Sequence, residues 1–77
     1  FIMNEKDKII IGLKLKELRL KHKITLKEVA DKIGKTPKTI QLYETGVINI
    51  SLEVFIDLCK LYNISPNELL ETIIRFD

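Results

Sequence analysis

The chain has little of what staples, breaks or metallates a fold. Among 77 residues there are one cysteine, one histidine, no tryptophan, two prolines and three glycines. A single cysteine excludes an internal disulfide and a zinc site. So little glycine and proline excludes collagen-like and low-complexity chains. No apolar run exceeds three residues, as at Ile9–Ile11, whereas a membrane-spanning helix needs about 20. The N-terminus lacks the apolar stretch of about 7–15 residues that a signal peptide carries, so a soluble, cytoplasmic protein is expected. Phe1 and Ile2 precede Met3, which is read as the natural start. There is no Gly-rich phosphate loop and no nucleophile–base–acid set. The lone His22 has no metal-ligand partner at suitable spacing. No enzyme, cofactor, metal or small-molecule ligand is therefore expected.

What is present is a globular composition, 45% hydrophobic and 31% charged. The length suits one domain, since single cores usually run to about 100–200 residues. The net charge of +2 conceals a split. Residues 1–38 hold eleven Lys/Arg against five Asp/Glu, which is +6; residues 39–77 hold two against six, which is −4. A basic half points to a polyanionic partner, although lysines that merely solubilise helix faces would look the same.

The periodicity predicts five helices and no strand. Ile11, Leu15, Leu18 and His22 recur at helical spacing, predicting a first helix from about Lys8 to His22, with Asn4 and Asp7 as cap candidates. Thr25 and Glu28 make a capping box for a helix from Leu26 to Ile33, stopped by Gly34. Thr36 caps and Pro37 opens a third helix to about Glu44, with Gly46 after it. Ser51 caps a fourth through Tyr62, and Asn63 can take the left-handed stop. Ser65-Pro66 with Glu68 opens a fifth through about Ile74. The prolines and glycines are read as punctuation at helix ends. Ala30, Gly34 and Ile40, with Val29 and Ile33 facing inward, give two helices joined by a three-residue turn: a helix-turn-helix pattern.

From Ile11 to Leu70 the sequence resembles the Cro/C1-type helix-turn-helix domains of phage repressors and bacterial regulators. The residues that carry the likeness are Leu15, Leu18, Arg19, Ile24-Thr25, Val29-Ala30, Ile33-Gly34, Thr36, Thr39-Ile40 and Tyr43-Glu44 with Gly46. Asn49, Ser51-Leu52-Glu53, Leu58, Ile64-Ser65 and Glu68-Leu69-Leu70 extend it. The resemblance implies a compact all-α five-helix bundle of the lambda-repressor-like DNA-binding type. Residues 1–10 are then an N-terminal extension, 11–70 the helix-turn-helix domain and 71–77 the end of helix five and a tail.

It further implies a transcriptional regulator of repressor or antitoxin type, with helix three (about Pro37–Glu44) in the major groove of double-stranded DNA. Lys38 and Gln41 fall at positions that reach base edges, flanked by Pro37 and Leu42. Glutamine can pair with adenine N6 and N7, and lysine can donate to guanine O6 and N7. Thr25, Lys27, Lys35, Thr36, Thr39 and Asn49 fall at phosphate-contact positions. Arg19 and Glu44 fall where the family has a buried ion pair. A homodimer on a near-palindromic operator, in the nucleoid, is the usual family setting. Ile9, Leu13 and Leu20 lie on a second apolar face of helix one, and Ile73, Ile74 and Phe76 add apolar groups at the end. Either Leu13, Leu20, Ile73, Ile74 and Phe76 form a dimer interface or the C-terminus folds back over helix one. The chain departs from the family at Leu26, where glutamine is usual, at apolar Pro37 and Leu42, and in the uncharged loop Val47-Ile48-Asn49-Ile50. These departures leave a second reading open, a protein-interaction module that keeps the fold without DNA contact.

Overall fold

A computed structural model describes residues 3–76; the side chain of Phe76, like Phe1, Ile2 and Asp77, lies outside the described part. Five helices follow one another: α1 (Glu5–Lys21), α2 (Leu26–Ile33), α3 (Pro37–Glu44), α4 (Leu52–Leu61) and α5 (Pro66–Phe76). No strand occurs among the described residues.

Local chemistry sets the starts. Asn4, Thr25, Thr36 and Ser51 each accept, through the side-chain oxygen, the backbone N–H three residues on. Ser65 does the same for Glu68. Thr25 and Glu28 close the full capping box. Asn4 as the cap puts the start of α1 three residues earlier than Lys8, so residues 5–7 also belong to the helix. Met3 and Lys8 are themselves buried.

The stops of α1 to α4 share one device, a residue at positive φ that lets the N–H beyond it bond five residues back. Gly34 and Gly46 do this at φ 71° and 74°, and Lys23 and Asn63 do it without glycine at 56° and 52°. A lysine there was not expected. It is held because Ile24, the next residue, bonds back to the Arg19 carbonyl and packs against the core.

The core gathers Ile11, Leu15 and Leu18 of α1, Val29 and Ala30 of α2, and Ile40 and Tyr43 of α3. Phe55, Leu58 and Tyr62 around α4 and Leu69 of α5 complete it. Gly12 does not punctuate a helix. It sits inside α1, fully enclosed, where an added Cβ would fall 2.5 Å from the Glu44 carbonyl oxygen and 2.6 Å from that of Tyr43. A Cβ on Gly46 would likewise fall 2.8 Å from Ile9 Cα. The two glycines therefore let α1 cross the C-terminal end of α3 backbone against backbone.

Helix α5 does fold back against α1. Ile73 packs on the core edge, yet Leu13, Leu20 and Ile74 remain 61%, 57% and 72% exposed. The fold-back thus leaves the second apolar edge of α1 open.

Candidate nucleic-acid interface

Arg19 and Glu44 lock α3 in place. Arg19 Nε donates to Glu44 Oε2 at 2.7 Å and its Nη2 to Oε1 at 3.1 Å, a two-pronged pair. A third donor, Nη1, reaches the Ile24 carbonyl at 3.2 Å. Both side chains are nearly enclosed, 11% and 5% exposed. The hydrogen bonds it donates to Glu44 hold the guanidinium above its ordinary pKa, against an opposing effect of burial. The phenol of Tyr62, packed beside this pair, is pushed well up, first by burial and then by the Glu44 charge. Burial alone raises Tyr43 and the Cys59 thiol, so Cys59 is a protonated core group.

With its inner side fixed, α3 turns Pro37, Lys38 and Gln41 outward, while Ile40, Tyr43 and Glu44 are buried. Leu42 is half-buried and Thr39 partly covered. Lys38 Nζ donates to Gln41 Oε1 at 3.1 Å. At the head of the helix the Thr36 and Thr39 hydroxyls share a hydrogen bond of 2.9 Å, and Thr36 Oγ1 also accepts the Thr39 N–H at 3.2 Å. Lys35, in the turn, is exposed and has no ion-pair partner among the described residues. Lys27 on α2 is paired with Asp31 at 3.5 Å. Thr25 Oγ1 accepts the Glu28 N–H and keeps its own hydrogen to donate.

Asn49 is placed differently from a simple outward contact. Its Oδ1 accepts the Met3 N–H at 2.9 Å and ties the N-terminal segment to the loop after α3. Its amide hydrogens and the second lone pair of Oδ1 remain for another partner. Leu26, the departure at the head of α2, packs against the core edge instead of facing outward as a polar group would. Sequence reasoning missed Gly12, Gly46 against Ile9, and the Met3–Asn49 tie. All three are contacts between distant parts of the chain, and only the glycine inside an otherwise unbroken α1 left a visible mark. Among the described residues no group of three His, Cys, Asp or Glu could hold a metal, and no helix is long and apolar enough to cross a membrane.

A helix-turn-helix family model matches residues 15–69. Over 54 residues, 70% of the chain, the sequence is 39% identical to an HTH-type transcriptional regulatory protein of Pyrococcus abyssi, and the chain spans 17% of that relative's length. The fold is similar to that of the clp gene regulator ClgR from Corynebacterium glutamicum, with a TM-score of 0.81 at 23% identity over 86% of this chain and 70% of that one. It is also similar to the restriction-modification controller protein C.AhdI from Aeromonas hydrophila, with a TM-score of 0.77 at 28% identity over 83% of this chain and 97% of that one.

Proposed function

The chain belongs to the helix-turn-helix family of Cro/C1 type, and on that premise we propose that it binds double-stranded DNA sequence-specifically as a transcriptional regulator of repressor or antitoxin type. Helix α3 enters the major groove. The observation that carries this reading is the division of α3, whose Ile40, Tyr43 and Glu44 are buried while Pro37, Lys38 and Gln41 form one exposed edge. Lys38 and Gln41 reach base edges, and Pro37 with the exposed part of Leu42 meets thymine methyl groups. Lys35 supplies the uncompensated charge for a phosphate, and the Thr36–Thr39 hydroxyl pair and Thr25 add donors. Lys27, tied to Asp31, and Asn49, through its amide hydrogens, contribute at the rim.

The partner is a near-palindromic operator, met in the nucleoid of the cytoplasm by two copies of the domain. The exposed Leu13, Leu20 and Ile74 support a homodimer edge, to which the half-buried Ile73 adds little; Phe76 belongs to the same proposal but lies outside the described side chains. Two recognition helices would then stand about 34 Å apart, one turn of duplex.

Binding to duplex across a salt series tests the reading. Neutralising Z phosphates gives a log–log slope of about −0.9Z, and Lys35→Ala should weaken all sequences alike and reduce the slope by about one. A slope near zero overturns DNA binding and leaves the interaction module. Leu20→Lys should shift a dimer toward monomer in sedimentation without unfolding it; equal masses for both proteins remove the dimer.

A further inference from the structure

Lys38 and Gln41 stand one turn apart on the exposed edge of α3, joined at 3.1 Å between Nζ and Oε1. An ammonium has three donors and no acceptor, so the amide atom facing it must be the oxygen. This sets the amide's direction: Oε1 toward Lys38, and Nε2 with its two hydrogens away from it. No carboxylate on α3 competes for Lys38, since the first turn has no acidic residue and Glu44 is bound to Arg19.

Taken singly, Gln41 can present its amide NH2 and its oxygen side by side and would match adenine, which offers the N7 acceptor beside the N6 donor. With Oε1 held toward Lys38, one of its two lone pairs is taken and adenine N6 must compete with the ammonium for the oxygen. The edge that α3 turns outward is then dominated by donors, from Nε2 and from the remaining hydrogens of Nζ, while its one acceptor is drawn toward Lys38. Guanine is the base that sets two acceptors, N7 and O6, side by side in the major groove; in an A·T pair the N6 donor separates N7 from thymine O4. We propose that Lys38 and Gln41 act as one coupled reader that favours guanine over adenine at the base Gln41 touches. Lys38 thereby determines specificity at its neighbour's base as well as its own. Exclusion of water in the groove strengthens the Lys38–Gln41 bond on which this depends. The inference rests on the reading of α3 as the major-groove element and names what that element recognises.

Selection from random duplex with the wild type, Gln41→Ala and Lys38→Met, each checked for native helical signal, tests it. The base pair in question is the one at which Gln41→Ala relaxes preference. The wild type should favour guanine over adenine there by at least about fivefold. Lys38→Met keeps the aliphatic stem, removes the donor and frees Oε1, so adenine should rise against guanine by a similar factor; Lys38→Ala should give the same shift. Adenine favoured by the wild type, or an unchanged ratio in both Lys38 variants, overturns the coupled reader while α3 stays a reader of DNA. No position relaxed by Gln41→Ala overturns it as well. If no duplex is enriched and binding has no salt dependence, the DNA reading falls with it.

Discussion

On its inner side α3 meets α1 backbone to backbone, through Gly12, and is clamped by the Arg19–Glu44 pair. On its outer side it carries Pro37, Lys38 and Gln41, exposed and joined only by a side-chain hydrogen bond. The same eight residues thus serve two masters. Position is set by contacts that admit almost no substitution, whereas the recognition chemistry proposed for α3 sits on side chains that could be exchanged with little effect on folding. Damage to the two sides should therefore be read by different measurements.

The largest effect is expected at the clamp. Glu44→Ala leaves the enclosed Arg19 without its carboxylate, and loss of one partner of a buried pair costs about 3–5 kcal/mol. Urea unfolding within error of the wild type would break the distinction at its strongest point. Gly12→Ala comes next. Alanine is the better helix former by about 1 kcal/mol, yet its methyl would enter the space of the Tyr43 and Glu44 carbonyls, and overpacking typically costs about 1–3 kcal/mol. A stabilised variant would mean that α1 and α3 can part cheaply.

Alkaline pH sharpens the comparison without mutation. The Tyr62 phenol beside the clamp titrates above its ordinary value of about 10 in the folded chain, so the stability it contributes is present below that pH and is lost as pH rises above it. The unfolded chain gives up its proton first, and unfolding free energy should fall by about 1.4 kcal/mol per pH unit for this group. Tyr43 and Cys59, also raised by burial, add to the fall. Urea unfolding from pH 9 to 11 should show a shallower decline in Tyr62→Phe; identical declines would detach Tyr62 from the effect. The smallest change is expected on the outer side. Lys35→Ala with Gln41→Ala should alter stability by no more than about 0.5 kcal/mol while impairing DNA binding. A marked loss of stability would mean that the outer edge also holds the fold.

Features written within a few neighbouring residues were legible in the sequence. Thr25 with Glu28, Thr36 with Pro37, and Ser65 with Pro66 and Glu68 each announce a helix start, because a cap is a bond between near neighbours. The outward edge of α3 follows from the same helical count. Asn4 was readable as a cap, but the apolar period begins only at Ile9, which made α1 look shorter than it is. Gly12 was misread as punctuation because its reason lies in α3, more than thirty residues away. The left-handed Lys23 carries no glycine to betray it. The bond from the Met3 N–H to the Asn49 oxygen was not legible, since nothing near Asn49 in sequence reveals it.

The glycine crossing also bears on how such a domain can respond to a signal. Two helices separated by side chains can slide over one another by rotamer changes; helices in main-chain contact have no such cushion. Tilting α3 relative to α1 would drive carbonyl oxygens into the opposing backbone. The two therefore move as one rigid lever, with Leu13 and Leu20 exposed on α1 and the Lys38–Gln41 edge exposed on α3. Whatever grips that ridge of α1 dictates where the α3 edge points. Under the proposed function, control of this domain then lies in how whole copies are spaced and oriented, and not in any bending of α3.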